Sequence, residues 1–359
     1  MKTRLPAIIA TFLLACSFTL PVSEGNSVRL LQDGGEFFPE LFKAISSARS
    51  SVSLEYYSIG SDSVSVALLE LLASKSMDGV DVHLLYDRQG SRHRDFPVDR
   101  ELLESYGKKG VKIAVFNDMP ASSPLPRDHR KLAVIDCSTA FVGGININDK
   151  YIRAEEGLGT VHDLALRIDG PLAADLEKIF AETWNTMSDG DMMEPHRDTA
   201  PACGETRIET VATRGADSDL SVRDVYVDMI DGASSRIRIV NGYFMPSAPI
   251  MAALRRAARR GVKVDILFGD NTDLPGIIHD RPFSMAGRLA GNDNVSVHMC
   301  HGCFFHAKAM SIDGKRLLVG STNLDFLSRR INYELSLIVE DGATTARFDE
   351  MYDGMCGEE

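Results

Sequence analysis

Apolar and polar positions alternate in short runs along this chain, and the runs recur in a fixed order. Stretches 48–54 and 233–239 lead into alternating patterns, with Val52 and Leu54 in one and Ile237 and Ile239 in the other. Period-two alternation predicts strands that bury one face. Each is followed by a stretch of helical pattern, 66–75 and 250–260, and then by a second strand signal. That signal is Gly79-Val80-Asp81-Val82 in one place and Gly261-Val262-Lys263-Val264 in the other. The glycines stand where a helix would end, a position that favours left-handed backbone. Strand, helix and strand with a short return predicts an α/β fold. The expected architecture is two homologous domains, each a mixed, mostly parallel β-sheet flanked by helices, related by a pseudo-twofold axis. They would span 28–185 and 206–355, with 186–205, rich in Asp, Met, Pro and Gly, as the linker.

The front of the chain does not follow this rhythm. Lys2 and Arg4 precede an apolar stretch, 5–20, broken by Pro6 and short for a bilayer span. It reads as an export signal over 1–24. Leu13-Leu14-Ala15-Cys16 resembles a bacterial lipobox, which would make Cys16 a lipid attachment point. A plain secretory signal and an uncleaved anchor are the alternatives. All three place the folded part outside the cytosol, in the periplasm or on the outer face of the membrane.

Composition narrows the classes. The 359 residues, 44% of them hydrophobic, are enough for about two ordinary domains. A net charge of −12 argues against a nucleic-acid partner, because neutralising phosphates calls for a basic surface. The six cysteines are Cys16, Cys137, Cys203, Cys300, Cys303 and Cys356. Cys300 and Cys303 suit a local disulfide and Cys203–Cys356 a second bridge, with Cys137 a small core or turn residue. A second CxxC pair that would favour zinc is missing.

The chemistry lies in a duplicated constellation. Counting from His129, Lys131 stands at +2, Asp136 at +7, Gly143 at +14 and Asn146 at +17. Counting from His306, Lys308, Asp313, Gly320 and Asn323 stand at the same offsets. An acid follows each set, Asp163 and Glu334. His-x-Lys on a strand points an imidazole and an ammonium to one side. The cation can hold a phosphate oxygen while the imidazole reaches phosphorus, and the Asn amides add donors. Gly143-Gly144 and Gly320-Ser321 let the backbone approach the bound group. Exchange of a phosphodiester through a covalent intermediate needs one neutral imidazole to attack and one protonated imidazole to expel the alkoxide. Two copies facing one another supply both, and two Lys and two Asn stabilise the developing charge without a metal or other cofactor. Asp136 and Asp313, out of phase with the histidines, are expected to hold backbone. His162 reads as an outward or stacking residue. His83, His93, His196, His279, His298 and His301 have no repeated partner and are expected to be non-catalytic.

His129-x-Lys131-x4-Asp136 and His306-x-Lys308-x4-Asp313 resemble the paired HKD motifs of the phospholipase D superfamily, and the resemblance extends over 28–355. Within it the chain looks most like the bacterial cardiolipin synthases. The finer match rests on Arg127-Asp128-His129-Arg130-Lys131-Leu132, Phe141-Val142-Gly143-Gly144-Ile145-Asn146, Asn241-Gly242-Tyr243-Phe244-Met245-Pro246, Gly320-Ser321-Thr322-Asn323-Leu324-Asp325 and Asn332-Tyr333-Glu334-Leu335. The resemblance implies that one histidine, His129 by similarity, carries a phosphohistidine and the other protonates the leaving alcohol, the two labels being interchangeable. It also implies that Lys131, Lys308, Asn146 and Asn323 bind phosphate, with Asp163 orienting His129 and Glu334 orienting His306. The expected partner is a phospholipid at a membrane surface, met by a monomer whose two halves complete one site. Four activities fit this reading: a phosphatidyltransferase making cardiolipin, a hydrolytic phospholipase D, a secreted nuclease or other phosphodiesterase, and a silent lipid-binding module. The first three predict that His129→Ala and His306→Ala each abolish turnover of a phosphodiester; activity retained in either removes that residue from the mechanism.

Overall fold

The structure, a computed structural model, describes residues 21–92, 98–117, 126–188, 190–195, 200–215, 219–274, 276 and 278–356. Cys16 and the rest of the apolar leader up to residue 20, with His93 and His196, lie outside the described residues. The first half contributes β1 (Ser23–Gln32), β2 (Ser51–Tyr56), β3 (Asp81–Asp87), β4 (Lys112–Phe116), β5 (Lys131–Ile135), β6 (Thr139–Gly143), β7 (Thr160–His162) and β8 (Leu164–Asp169). Its helices are α1 (Asp33–Ser47), α2 (Ser63–Met77), α3 (Arg100–Gly107) and α4 (Leu172–Met187). The second half contributes β9 (Thr206–Arg214), β10 (Arg236–Asn241), β11 (Lys263–Gly269), β12 (Val295–Cys300), β13 (Cys303–Phe305), β14 (Lys308–Ile312), β15 (Arg316–Gly320) and β16 (Tyr333–Glu340). Its helices are α5 (Asp219–Asp231), α6 (Ala248–Arg259), α7 (Arg281–Ala290), α8 (Phe326–Arg330) and α9 (Gly342–Cys356).

Fourteen of these strands form one sheet in the order β12-β11-β10-β14-β15-β16-β9-β1-β8-β6-β5-β2-β3-β4. Read outward from the centre, both halves run through the same sequence of strands, as a pseudo-twofold axis requires. The mixed α/β architecture is the expected one. Within the fourteen-stranded sheet the parallel pairs are confined to β2–β3–β4 and β10–β11–β12. The other neighbours pair antiparallel, because hairpins rather than helices connect β5 to β6 and β14 to β15. At the centre β1 meets β9 through only two aligned pairs, Ser23 with Ile208 and Asn26 with Thr206. The chain is thus already in the sheet at Ser23, just inside the stretch expected to be leader.

Local sequence explains the repeated elements. Asp62 caps α2 by accepting from the Ser65 amide at 3.0 Å, and the chain leaves the helix through Gly79 at φ +89°. The counterpart α6 begins with Pro249 in its first turn and leaves through Gly261 at φ +90°. Pro suits a first turn because it lacks an amide hydrogen that would find no partner there. Asp136 and Asp313 sit in the tight hairpins with φ of 51° and 55°. Asp136 accepts from the amides of Ser50 (2.8 Å) and Ser51 (2.9 Å), and Asp313 from those of Ser234 and Ser235 (2.8 Å each) and Arg236 (2.9 Å). Partial burial pushes these carboxyls up, but the donated hydrogen bonds outweigh it and hold both below the ordinary carboxylate range. Each therefore ties a hairpin to the start of the neighbouring strand, as expected.

One apolar core is shared by the two halves. Leu166, Phe180 and Trp184 of the first pack in one cluster with Val319, Leu335 and Phe348 of the second. Burying such a side chain stabilises by roughly 1.5–3 kcal/mol each, so the halves are held by more than the thin β1–β9 seam. The cysteines divide differently from one expectation. Cys300 and Cys303 are bonded to each other, but Cys203 and Cys356 are both free. Cys203 lies exposed beside the Asp169 carbonyl, whereas Cys356 ends α9 next to Tyr352, which places the thiols in different surroundings.

Candidate active site

Each histidine lies two residues ahead of the lysine that begins the next strand: His129 before Lys131 of β5, His306 before Lys308 of β14. Both pairs are at least nine-tenths buried, and both histidines line one cleft of about 310 Å³. Asn146 and Asn323 line the same cleft, with Lys150, Tyr57 and Tyr243. The duplicated histidines and asparagines therefore meet around a single space.

The acids cross over. His129 Nδ1 faces Glu334, with Oε2 at 3.0 Å and Oε1 at 3.1 Å, and His306 Nδ1 lies 2.6 Å from Asp163 Oδ2. This corrects the assignment of Asp163 to His129 and Glu334 to His306. The cause is in the backbone. The His129 amide donates to the Tyr333 carbonyl at 2.9 Å, and the Tyr333 amide donates to the Arg127 carbonyl at 2.8 Å. In the other crossing β13 runs parallel to β7, and the His306 amide donates to the His162 carbonyl at 2.8 Å. The segment before each histidine is thus paired with the segment before the opposite half's acid. With Nδ1 held by a carboxylate, Nε2 is the nitrogen left for substrate.

Glycines make this closeness possible. A Cβ on Gly144 would fall onto the Asp163 carboxylate, and one on Gly320 onto Ser336 and the Leu335 carbonyl. Ser321, which follows Gly320, donates its hydroxyl to Glu334 Oε2 and accepts from the Leu335 amide at 3.0 Å. Gly143 packs equally tightly on Leu164 and Ala165. Asn146 is fixed on both ends of its amide, accepting from the Ser58 amide at 3.1 Å and donating to Tyr151 Oη at 2.9 Å. Asn323 Oδ1 is buried with no hydrogen-bond partner among the described residues. Lys131 Nζ donates to its own histidine's carbonyl at 2.6 Å, and Lys308 Nζ to that of His306.

Burial sets the charges here. It pushes the His129 imidazole down to about 4, with the Glu334 carboxylate opposing it. Burial and the Lys308 ammonium hold His306 well below an ordinary histidine. Burial, joined by the neighbouring Lys308 charge, lowers Lys131 to about 7, and burial lowers Lys308 to about 8. Burial raises Asp163 to about 6. For Glu334 burial pushes the same way, but the His129 and Lys131 charges outweigh it and lower it. Because desolvation is the largest cause of the lowered lysines, an anion bound beside Lys131 and Lys308 would favour their charged forms.

Some residues of the site are not repeated between the halves. The Tyr57 ring stands edge-on to His129 with centroids 4.9 Å apart, and Lys131 Nζ lies 5.0 Å from its centre. Tyr151 Oη is 3.4 Å from His306 Nδ1. Tyr243 stands edge-on to His306 at 6.1 Å and donates to Asp273 at 2.6 Å. The signal for Tyr243 was present in the Asn241–Pro246 run. His162, expected outward or stacking, packs on Phe305 and contacts Asp33 at 2.9 Å. His83, His279, His298 and His301 do not line the cleft.

Residues 41–184 and 226–356 match the family described as Cardiolipin synthase, PLD-like domain. The chain belongs to that family. It is 31% identical to a probable cardiolipin synthase of Bacillus subtilis over 89% of its own length and 64% of the relative's. It is 28% identical to a cardiolipin synthase of Listeria monocytogenes over 92% of its own length and 69% of the relative's. Among solved structures it is similar to a phosphatidylserine synthase of Haemophilus influenzae, with a TM-score of 0.70 at 16% identity, covering 91% of this chain and 85% of that one. The chain thus spans just under two thirds of the first relative.

The relatives correct the expected location. An apolar stretch at the front of a chain related to cardiolipin synthases is no mark of secretion, and the export reading, the periplasmic or outer-face placement and the lipidated Cys16 are overturned. Among the described residues no helix is long and apolar enough to cross a membrane.

The glycine geometry gives a direct check. Gly144→Ala should move Asp163 off His306, lower activity on a phosphodiester at least about tenfold and cost about 1–3 kcal/mol in urea unfolding. Gly35→Ala, where a Cβ meets nothing within 4 Å, should do neither. Wild-type activity in Gly144→Ala would contradict the placement of Asp163.

Proposed function

We propose that this chain is a phosphatidyltransferase that works through a phosphohistidine, moving the phosphatidyl group of one phosphatidylglycerol onto a hydroxyl of a second to give cardiolipin and glycerol. The observation that carries this reading is the pair of buried imidazoles on one cleft, each held at Nδ1 by a carboxylate of the opposite half. The relatives named cardiolipin synthases supply the substrate class.

In the first step His129 Nε2 attacks phosphorus, and the bond to the glycerol oxygen breaks. That oxygen takes the proton of His306 Nε2 and leaves as glycerol. In the second step His306 Nε2 accepts the proton of an incoming lipid hydroxyl, whose oxygen attacks phosphorus and releases His129. Lys131 and Lys308, with the amides of Asn146 and Asn323, hold the non-bridging oxygens as charge builds on them. Glu334 orients His129 and stabilises its cationic adduct. Asp163 and His306, 2.6 Å apart, share one added proton as a unit, which makes His306 the acid. Both phosphodiesters, consumed and formed, are alike, so the exchange needs no nucleotide. The site is complete within one chain, consistent with a monomer at a phospholipid surface and no nucleic-acid partner.

Incubation of purified protein with phosphatidylglycerol, followed by mass spectrometry, tests the proposal. Cardiolipin and glycerol in equal amounts are expected. Phosphatidic acid as the sole lipid product would show that water is the acceptor and the enzyme a hydrolase. Nicking of a plasmid with no action on lipid would reject the substrate class. The pH dependence of kcat/KM should be bell-shaped. It falls as pH drops through about 4, where His129 gains a proton and can no longer attack. It falls again as pH climbs from about 6 to about 8, where the Asp163–His306 pair and then Lys131 and Lys308 lose protons. A profile flat from pH 4 to 9 would contradict these assignments.

A further inference from the structure

A second cavity, of about 700 Å³ against about 310 Å³ for the cleft, lies between α3 and the edge of the sheet. Its floor is half-buried apolar surface, Ile113 and Val115 of β4. Among the described residues its rim carries Arg92, Arg100 and Lys108, with Glu104 engaged by Arg100 at 3.2 Å. On a protein of net charge −12 a rim of this sign runs against the whole, so it marks a place for an anionic ligand. An apolar floor under a cationic rim fits an amphiphile with a negative headgroup.

The cavity adjoins the cleft. Arg88 and Ser91 line the groove, while Gly90 between them lines the cleft. Ser91 Oγ accepts from the Ile59 amide at 3.2 Å, and Gly90 packs against Tyr57, whose ring stands edge-on to His129. One turn of chain therefore lines the groove with Arg88 and Ser91 and the cleft with Gly90.

Resting on the transferase reading above, we propose that this groove is the acceptor-lipid site: it takes an acyl chain of the second anionic phospholipid on Ile113 and Val115 and its phosphate on the arginine and lysine rim. The headgroup glycerol then extends over Gly90 into the cleft. There its hydroxyl oxygen forms the new bond to phosphorus as the bond to His129 Nε2 breaks, and its proton goes to His306. The donor's phosphate lies between the histidines. The two anionic phosphates thus occupy separate cationic sites, and the occupied groove places a lipid hydroxyl where water would otherwise react.

The ratio of cardiolipin to phosphatidic acid, read by mass spectrometry with the full chain in phosphatidylglycerol mixed micelles, tests this. Arg100→Glu with Lys108→Glu changes the exposed rim, and Val115→Glu changes the floor. Both should lower the ratio at least about fivefold, because water intercepts the phosphohistidine, while phosphatidylglycerol is still consumed. Partial misfolding lowers both products together and leaves the ratio alone, so the ratio reads the groove. An unchanged or increased ratio in the rim variant overturns the proposal. A wild-type protein that makes no cardiolipin overturns the transferase reading instead, which keeps the two failures distinct.

Discussion

Neither imidazole is held by a carboxylate of its own half, and the rest of the site depends on that crossing. His129 is held by Glu334 and His306 by Asp163 because the backbone ahead of each histidine is hydrogen-bonded to the backbone ahead of the other half's acid. An α/β unit alone would present an imidazole with no orienting partner. Docking the halves supplies two partners at once and brings both Nε2 atoms to one cleft. The shared core of Phe180, Trp184, Leu335 and Phe348 supports that docking. Arg130, fully buried, adds a polar tie: it donates to the Thr213 carbonyl at 2.7 Å and the Glu334 carbonyl at 3.3 Å in the second half, and to Thr183 at 2.9 Å in its own.

Burial gives this arrangement its chemistry. In water an imidazole and an ammonium would keep ordinary protonation, and phosphate would compete with solvent for them. Here desolvation keeps the His129 imidazole neutral, as the proposed nucleophile must be, and leaves Lys131 and Lys308 close to losing their protons. A phosphodiester bound there would favour the charged lysines against that desolvation. The same bound anion favours the protonated form of the Asp163–His306 pair. In the proposed mechanism binding and acid function are therefore coupled through the desolvation of one site.

Much of this was legible in the chain. Repeated offsets marked the histidines, lysines and asparagines, and glycines at the ends of α2 and α6 marked the helix boundaries. Asp136 and Asp313 fell out of phase with the histidines and do hold backbone. The pairing of acids with imidazoles was not legible, because sequence distance within a half says nothing about what lies across an interface. Tyr57, Tyr151 and Arg130 were missed since their symmetry-related positions carry other residue types; Arg130 corresponds to Ala307. The antiparallel share of the sheet was under-read because helical crossovers leave a clearer pattern than tight hairpins. The apolar leader misled on location, because hydrophobicity alone does not mark an export signal.

Double-mutant cycles across the interface test the crossing most directly. With stability read from urea unfolding, His129→Ala combined with Glu334→Ala, and His306→Ala combined with Asp163→Ala, should each show a coupling of about 1 kcal/mol or more. The same-half combinations, His129 with Asp163 and His306 with Glu334, should be additive within about 0.5 kcal/mol. Strong coupling within the halves and additivity across them would contradict the account.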